Sequence, residues 1–339
     1  MKSVLVGMSG GVDSTVAAVR LREQGYTVQG VVLRMHAYTE VSEAEEAAKA
    51  LGIPFSVVDC TERFASCVIS DFLEEYGKGR TPNPCIVCNE TVKFRALFDE
   101  ARRLGIPFIA TGHYARVEAV DGRHAIARAA DGQKDQSYML YRLPQDVLSA
   151  LLLPLGNVCK TRVVEEARRL RLSVAEREES QEICFVKGES YAEYIERTVG
   201  KAPEGDFVDE SGNVLGRHKG IVHYTVGQRK GLGVSAAARL FIKEINVENN
   251  TIVLSSAKAL KRQFVLTSPV FSGIREEELE NERGLCVQLR YTATPVSAVA
   301  RRENGRISVT MEGEAPFVTP GQSAVFYKDD MVAFGGVIA

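Results

Sequence analysis

Residues 4–14 read Val4-Leu5-Val6-Gly7-Met8-Ser9-Gly10-Gly11-Val12-Asp13-Ser14, and this stretch decides the fold of the first half of the chain. Its apolar start predicts a short buried strand, and apolar residues at helical spacing beyond it predict a helix that ends at Gly25. Two glycines lie at the junction, where a side chain would keep a phosphate away from the backbone. Unpaired N–H groups and the positive dipole end of the new helix favour an anion there. The stretch therefore predicts a strand, a phosphate-binding loop and a helix.

The loop Ser9-Gly10-Gly11-Val12-Asp13-Ser14 predicts a nucleotide site that works with magnesium. The serine hydroxyls can donate to phosphate oxygens, and Asp13 supplies the carboxylate that Mg²⁺ prefers. The string matches neither the P-loop signature nor the dinucleotide fingerprint. The plainer alternative is a helix N-cap by Asp13 or Ser14 after a flexible turn. The complete string at the first strand–helix junction favours a nucleotide, and ATP is the expected ligand.

Strand and helix patterns continue to alternate up to about residue 110. Strand-like apolar runs at 31–33, 55–58 and 106–110 are separated by helical patterns at 43–51, 62–76 and 90–104. This alternation predicts an α/β domain built on a doubly wound parallel sheet, with ligands at the carboxyl ends of its strands. We place this domain at residues 1–199.

The pattern changes near residue 200. A turn at 209–213 separates two short strand-like runs, and further β-prone runs follow at 223–226, 251–254, 287–291, 296–300, 307–311 and 324–327. Short strands at such intervals predict a small β-rich central domain at 200–265 and a C-terminal β-barrel at 266–339.

Composition and charge exclude several classes of protein. The 339 residues carry 42 basic and 44 acidic side chains, a net charge of −2, which argues against a protein that coats nucleic acid without specificity. Binding of a structured RNA through local basic patches stays open. No apolar run approaches the ~18 residues of a membrane helix, and the first residues leave no room for a signal peptide. We expect a cytoplasmic protein without a membrane partner.

Seven cysteines raise the question of thiol chemistry. An odd number in a cytosolic chain argues against a disulfide framework. Cys88 follows the proline-restricted stretch 80–84 at the predicted start of a helix, which should lower its pKa and favour the thiolate. Cys184 is the second candidate for thiol chemistry. Four others are expected to be small buried apolar side chains: Cys60, Cys67, Cys159 and Cys286.

Several ordered strings beyond the loop carry a family resemblance. They lie at 7–14, 80–88, 93–94, 110–114, 134–138, 183–185, 225–233, 290–291 and 319–327. The loop alone resembles the PP-loop of ATP pyrophosphatases, which cleave ATP between the α and β phosphates. Together the strings are similar, along the whole chain, to the bacterial tRNA 2-thiouridylases. Members of that family convert the wobble uridine of certain tRNAs to 2-thiouridine.

The resemblance implies a mechanism and a set of site residues. ATP would adenylate the 2-carbonyl oxygen of the uracil, with pyrophosphate and AMP as products. Cys184 matches the persulfide carrier loaded by a sulfur donor, and Cys88 matches the thiol that releases the sulfur and leaves a Cys88–Cys184 disulfide. The positions that match the ATP site are Gly7, Met8, Ser9, Gly10, Gly11, Val12, Asp13, Ser14, Leu33 and Gly112. Asn83, Pro84 and Cys85 match the segment beside the target base, and other tRNA contacts match His113, Lys134, Asp135, Gln136, Arg290, Tyr291 and Gln322.

Cys85 departs from the family pattern. Many relatives carry Asp at this position, so a third thiol replaces an acid here. Related tRNA thiolases hold a [4Fe–4S] cluster on three cysteines, and Cys85, Cys88 and Cys184 offer such a set. Zinc is disfavoured because it would want a fourth ligand. We favour the persulfide route and keep the cluster as its alternative.

Two other functions stay open. A PP-loop enzyme that acts on a small metabolite would explain the loop, but neither Cys88 nor Cys184. An RNA-binding module without catalysis would leave the intact Asp13 and Ser14 unexplained.

For a tRNA substrate, the target uridine would flip out of the anticodon arm into the ATP site. Basic clusters that could dock that arm lie at 160–162, 168–171, 217–219, 229–230, 258–262 and 301–302.

Overall fold

A computed structural model of the chain describes residues 2–170, 183–236, 238–256, 262–313 and 317–339. The first domain follows the predicted alternation of strands and helices. In chain order its elements are β1 (Ser3–Gly7), α1 (Val12–Glu23), β2 (Thr27–Arg34), α2 (Val41–Leu51), β3 (Phe55–Asp59), α3 (Thr61–Phe64), α4 (Ser70–Gly77), α5 (Pro84–Cys88), α6 (Phe94–Arg103), β4 (Phe108–Ala110), β5 (Arg116–Val120), β6 (Arg123–Ala127), α7 (Gln145–Ala150), β7 (Leu151–Leu152), α8 (Lys160–Arg169) and α9 (Tyr191–Val199). The π-helical segments Ala65–Ile69 and Asn89–Lys93 join α3 to α4 and α5 to α6.

A five-stranded parallel sheet in the order β3-β2-β1-β4-β7 forms the centre of this domain. In the middle strand β1, Val4, Leu5 and Val6 have no exposed surface. Leu5 belongs to one apolar core, whereas Val4 and Val6 belong to another, because successive side chains of a strand point to opposite faces. Both faces of the sheet are therefore covered, which confirms the predicted doubly wound α/β fold.

The register of the sheet brings three chain segments together at one edge. Val6 of β1 pairs with Ala110 of β4, so the loops that follow these two strands lie side by side. Strand β2 pairs with the other side of β1 and ends at Arg34. Open parallel sheets bind their ligands at this carboxyl edge. The segments after β1, β2 and β4 are therefore the first places to look for a site.

The second region contains a four-stranded sheet in the order β10-β11-β8-β9. Its strands are β8 (Gly205–Val208), β9 (Val214–His218), β10 (Phe241–Asn246) and β11 (Thr251–Ser255). The predicted turn at 209–213 joins β8 to β9, and the predicted run at 251–254 lies in β11. The prediction of a strand at 223–226 is wrong, because a 3₁₀ turn covers Ile221–His223 and no strand follows it there. Val222, Tyr224 and Val226 are all buried, so alternate burial arises there without strand pairing.

The third region is a closed six-stranded barrel. Its strands are β12 (Gln263–Phe271), β13 (Cys286–Gln288), β14 (Val296–Glu303), β15 (Arg306–Met311), β16 (Ser323–Lys328) and β17 (Met331–Ile338). They run in the order β12-β15-β14-β13-β16-β17, and pairing of β12 with β17 closes the ring, as the predicted barrel requires. The hairpin β5–β6 of the first domain joins the barrel sheet through the pairing of Met331 with Ala127. Within the described ranges, no helix has the length and apolar character needed to cross a lipid bilayer.

Candidate active site at the carboxyl edge of the parallel sheet

The phosphate loop, residues 8–14, leaves β1 and enters α1 through a backbone that only glycine allows at one position. Gly10 has φ +76°, and a Cβ there would lie 2.6 Å from Cβ of Glu43. Gly11 is the N-cap of α1 and makes no side-chain cap hydrogen bond. The first turn of α1 therefore presents its backbone N–H groups to the loop, as an anion site requires.

Hydroxyl groups hold the loop in shape. The backbone N–H of Ser9 donates to Ser14 Oγ at 3.2 Å, and Ser14 Oγ donates to the Gly11 carbonyl at 3.2 Å. Thr15 Oγ1 donates to the same carbonyl at 2.8 Å. Met8 is buried and its N–H donates to Val31 O at 2.8 Å, which ties the loop to β2. The loop is thus organised by its own bonds and by the neighbouring strand.

Asp13 is placed at the start of α1 by two side chains from distant parts of the chain. Lys160 Nζ lies 2.7 and 2.8 Å from its two carboxylate oxygens, and Tyr114 OH donates to Oδ1 at 2.7 Å. Sequence reasoning assigned neither residue to the nucleotide site. Lys160 was named only as a member of a basic cluster, and Tyr114 only as part of a matching string, because no local pattern links them to Asp13.

Leu33 and Gly112 flank the loop on either side, at the ends of β2 and β4. Leu33 is buried in the apolar core of the sheet. A Cβ on Gly112 would lie 2.6 Å from the Asp13 carbonyl carbon and 2.7 Å from Ser14 N. Gly112 therefore lets the segment after β4 approach the phosphate loop at backbone distance. Both predicted nucleotide positions lie at the same edge as the loop.

The cysteine helix, α5, begins where the sequence places its proline stretch. Asn83 is its N-cap, with Oδ1 accepting from Ile86 N at 3.4 Å, and Pro84 occupies the first turn. Cys85 is exposed, whereas Cys88 is buried one turn further along. The Cys88 thiol lies 3.6 Å from Met35 Sδ, just after the end of β2. The thiol is therefore at the carboxyl edge of the sheet, beside the strand that carries Leu33.

The prediction that Cys88 has a lowered pKa is wrong for this conformation. Burial raises the pKa of its thiol, and the neighbouring Cys85 adds to the increase, while Lys93 opposes it. The residue ends α5 inside the domain instead of lying at an exposed helix start, so loss of solvent outweighs the helix dipole. The thiol, and not the thiolate, is the favoured form at neutral pH.

Cys184 lies on a segment that is anchored by the next residue. Phe185 is buried among aromatic rings, with its centroid 5.6 Å from that of Phe64 and 5.3 Å from that of Phe72. The Cys184 side chain is exposed, yet the surrounding protein mass raises the pKa of its thiol to about 11, with smaller contributions from Cys85 and Cys88. The three thiols thus lie in one neighbourhood, with Cys184 at its solvent side.

The residues that the structure describes do not bring three metal-ligating side chains together. Among them, no group of three or more His, Cys, Asp or Glu side chains is arranged to hold a metal ion, and Cys85, Cys88 and Cys184 are all included. The donor set therefore does not fit a [4Fe–4S] cluster in this conformation.

The segment before the cysteine helix, residues 79–83, is held by all three regions. Thr81 N donates to Pro320 O at 2.9 Å, and Thr81 Oγ1 donates to Thr225 Oγ1 of the central region at 3.3 Å. Gln322 Nε2 donates to the carbonyls of Thr81 and Pro82 at 2.8 and 3.4 Å. Gln322, expected as a tRNA contact, is therefore also a tether between the barrel and the cysteine helix.

Other predicted tRNA positions make internal bonds. His113 Nδ1 lies 2.7 Å from Thr111 Oγ1, and burial lowers the pKa of this histidine well below its usual value, so its ring is neutral at pH 7. Asp135 accepts from Ala129 N at 2.9 Å and from Ser137 Oγ at 2.8 Å. Gln136 Oε1 accepts from Tyr114 N at 2.9 Å. These residues shape the segment after β4 next to the phosphate loop.

A cavity of about 300 Å³ lies between residues 132–135 of the first domain and residues 288–295 of the barrel. Arg128, Asp135 and Tyr291 contribute to its walls, and Lys134 and Arg290 are neighbours of these walls in the chain. Arg290 donates to Thr319 Oγ1 at 2.6 Å and to Val226 O at 2.9 Å. One residue from each of two predicted tRNA-contact sets, Asp135 of 134–136 and Tyr291 of 290–291, therefore lines this groove.

Several other predictions concern basic residues and cysteines. Arg171, Lys258 and Lys261 lie outside the described residues. Arg217 is paired with Asp206 at 2.8 Å, and Arg302 is paired with Glu276, so these two cations have acidic partners.

Cys60 is buried as predicted, and Cys67 and Cys286 are partly buried. The prediction for Cys159 was wrong, because it is exposed as the N-cap of α8.

Models of three known protein domains together match nearly the whole chain. The tRNA methyl transferase HUP domain matches residues 2–188, the tRNA methyl transferase PRC-barrel domain matches 192–256, and the aminomethyltransferase β-barrel domain matches 261–338. Among solved structures, a 4-thiouridine synthetase in complex with RNA and ATP covers 50% of this chain and 40% of its own, at 20% identity and a TM-score of 0.33.

Curated relatives match over nearly the full length. The tRNA-specific 2-thiouridylase MnmA of Clostridium perfringens is 42% identical over 99% of this chain and 98% of its own. The protein of the same name from Acetivibrio thermocellus is 42% identical over 99% of both chains. A protein named tRNA-specific 2-thiouridylase MnmA 1 from Clostridium botulinum is 41% identical over 99% of both. The chain belongs to the tRNA-specific 2-thiouridylase family.

Proposed function

We propose that this protein catalyses ATP-dependent 2-thiolation of the wobble uridine of tRNA. One observation carries the proposal beyond family membership. The phosphate loop follows β1, and the Cys88 thiol contacts Met35 directly after β2, the strand next to β1. A nucleotide-binding loop and a thiol therefore lie at the same edge of one sheet. Activation of a carbonyl oxygen by ATP and attack on that carbon by sulfur need this proximity.

The first step uses the phosphate loop. ATP binds with its phosphates against the N–H groups at the start of α1 and the hydroxyls of Ser9 and Ser14. Asp13 is the carboxylate that suits Mg²⁺, and bonds from Lys160 and Tyr114 hold its two oxygens in place. The 2-carbonyl oxygen of the uracil attacks the α phosphorus, and pyrophosphate leaves. The uracil then carries AMP as a leaving group on C2.

The second step uses the two thiols. The terminal sulfur of a Cys184 persulfide attacks C2, and AMP departs with the electrons of the C–O bond. Cys88 Sγ, as thiolate, then attacks Cys184 Sγ, the sulfur–sulfur bond of the persulfide breaks, and its electrons stay on the sulfur now bonded to C2. A Cys88–Cys184 disulfide remains, and a dithiol reductant restores both thiols. Burial raises the pKa of Cys88, and Lys93 is the neighbouring charge that opposes this increase and favours the thiolate.

We further propose that the three regions divide this work, with residues 1–199 for catalysis and 200–265 and 266–339 for holding tRNA. The groove beside Tyr291 supports this division, because an exposed tyrosine next to arginine suits a splayed base. Asn83, Pro84 and Cys85 start the cysteine helix next to the target base, and neutral His113 can hydrogen-bond a base edge. A cysteine desulfurase or a sulfur-relay protein is the sulfur donor in this scheme. A cytoplasmic location follows from the tRNA substrate.

The test is tRNA thiolation by Cys184→Ser and Cys88→Ser variants, followed by gel retardation of thiolated tRNA. Both variants should lose thiolation and keep ATP binding, whereas Cys67→Ser, a control at a partly buried cysteine, should keep both. Unchanged thiolation by Cys184→Ser would refute the sulfur-transfer scheme. Pyrophosphate release with small metabolites but not with tRNA would favour the small-molecule alternative.

The cluster alternative needs its own measurement. Protein purified without oxygen should contain no stoichiometric iron or sulfide and should thiolate tRNA at its full rate with a persulfide donor. Iron and acid-labile sulfide at three to four per chain, lost in Cys85→Ser, would instead favour the [4Fe–4S] route.

A further inference from the structure

The carboxylate of the phosphate loop is neutralised by a lysine that lies 147 positions further along the chain. Lys160 is the first residue of α8, and its Nζ contacts both oxygens of Asp13, at 2.7 and 2.8 Å. The same ammonium lies 5.8 Å from the centroid of the Tyr114 ring, whose hydroxyl bonds Asp13 Oδ1. A negative carboxylate inside an anion site needs such a partner, because it would otherwise repel phosphate.

The position of Lys160 is set by the fold and does not depend on this ion pair alone. Asp131 Oδ2 accepts from the backbone N–H of Lys160 at 2.9 Å, which fixes the start of α8. One turn later, Val163 is fully buried in an apolar core with Val12 and Val16 of α1. The two helices that carry Asp13 and Lys160 are therefore packed side by side, with both side chains directed to the phosphate loop.

The pair is open to a ligand. Asp13 keeps 28% of its side-chain surface exposed and Lys160 keeps 17%. Both side chains therefore reach solvent at the phosphate loop, where a bound polyphosphate can contact them. Lysine also has the chemistry for the task, since it carries a compact charge on a flexible stem and binds phosphate oxygens as a point charge.

We propose that Lys160 is a further residue of the ATP site, one that exchanges partners when ATP binds. Before binding, Lys160 neutralises Asp13. On binding, Lys160 moves from Asp13 to an oxygen of the β or γ phosphate of ATP, the two groups that later leave as pyrophosphate, and Asp13 becomes available to Mg²⁺. Tyr114 keeps its bond to Oδ1 throughout and holds the carboxylate in place. This inference rests on the proposed function, because it assigns a role within the same ATP-dependent reaction.

Positive and negative groups in the phosphate loop stay balanced at each stage of this exchange. In the empty loop the ammonium and the carboxylate balance one another. In the loaded loop the negative polyphosphate would face Lys160, and Asp13 would hold the Mg²⁺ that accompanies ATP, so that the carboxylate charge would again be offset by a cation. When negative charge develops on the leaving pyrophosphate, Lys160 is within reach to stabilise it, and this interaction is stronger in the transition state than in bound ATP.

The experiment compares equilibrium binding of MgATP, thermal unfolding and ATP–pyrophosphate exchange in five variants. Lys160→Met should bind MgATP about 10- to 100-fold more weakly, the loss expected for one charge-assisted hydrogen bond to phosphate. Lys160→Arg should recover part of that affinity. Lys49→Met, at an exposed lysine in the last turn of α2, should match the wild type in all three measurements.

The double variant Asp13→Asn with Lys160→Met separates a phosphate contact from a merely structural pair. It should unfold at the temperature of the Asp13→Asn variant but bind ATP more weakly than that variant. Equal ATP affinity of the two would overturn the proposal, since Lys160 would then act only through Asp13. So would an affinity of Lys160→Met within twofold of the wild type. If wild-type protein itself fails to bind MgATP, the proposed function fails instead, and the two failures are thereby distinguished.

Discussion

Gly112 offers a direct test of how tightly the phosphate loop is packed. A Cβ at this position would lie 2.6 Å from the carbonyl carbon of Asp13, 2.7 Å from Ser14 N and 2.9 Å from the Asp13 carbonyl oxygen. All three are backbone atoms, which cannot turn aside as the end of a side chain can. To reach an ordinary contact of 3.4 Å, the segment after β4 and the start of α1 must separate by roughly 0.8 Å.

The Gly112→Ala variant should therefore lose both stability and ATP affinity. Overpacking of a well-packed region costs about 1–3 kcal/mol in the free energy of unfolding. A displacement close to 1 Å at the helix start also moves the N–H groups and Asp13 away from the phosphates, which should weaken MgATP binding by about tenfold or more. Denaturant unfolding and equilibrium binding of a fluorescent ATP analogue measure the two effects.

The matched control is Gly77→Ala at the end of α4. A Cβ on Gly77 has no atom within 4 Å and the residue has an ordinary negative φ, so this change should leave ATP binding unaltered and stabilise the helix slightly. Wild-type ATP affinity in Gly112→Ala, together with normal unfolding, would refute the claim that the segment after β4 positions the phosphate loop.

Three further predictions concern a thiol, a tether and a histidine. The pKa of Cys184 is raised to about 11, so its labelling by iodoacetamide at pH 7 should be roughly 100-fold slower than that of an unperturbed thiol. The labelling rate should still increase above pH 9, which peptide mass spectrometry can measure. Labelling as fast as that of a free cysteine would contradict this prediction. Gln322→Ala removes both hydrogen bonds to the 79–83 segment, which should lower the free energy of unfolding by about 1–2 kcal/mol. Single-turnover tRNA thiolation should become slower, while ATP binding stays unchanged. An equal fall in ATP affinity would point to general unfolding instead. Burial lowers the pKa of His113 well below its usual value, so the unfolded chain binds an extra proton below about pH 6.5. The wild type should therefore lose more stability than His113→Gln between pH 7.5 and pH 5.5, by at most about 1.4 kcal/mol. Equal losses of stability in the two proteins would exclude this role of burial.

The sequence predicts the first domain well because its signals are local. The apolar run at 4–7, the glycines after it and the helical spacing beyond lie within about twenty residues, and each has a direct conformational consequence. The same holds for Asn83 and Pro84, which begin α5 where the proline stretch ends. Four of the six barrel strands, β13 to β16, coincide with predicted runs, whereas β12 and β17 were not predicted. The hairpin Arg116–Val120 with Arg123–Ala127 is also missed as part of that sheet. Its pairing with β17 joins residues about 200 positions apart, and no local pattern reports such a pairing.

The candidate site divides in the same way. The phosphate loop and the cysteines could be identified from their own residues and neighbours, because glycine, hydroxyl and thiol groups at that spacing have few other uses. The protonation state of Cys88 could not, since the helix start predicts a lowered pKa, whereas burial beside Met35 raises it. Local sequence specifies which groups are present, but desolvation depends on everything that packs around them.

By itself, the sequence determined the nucleotide-binding strand–loop–helix, the three-part organisation and the family. Only the tertiary structure decided which groups complete the site: Lys160 and Tyr114 on the carboxylate of Asp13, and Gln322 on the segment before the cysteine helix. Helices and strands follow from periodicity over a few residues, and so they can be predicted from neighbours in the chain. Ion pairs and hydrogen bonds across 147, 101 and 241 positions form only when the folded sheet and barrel bring their partners within 3 Å.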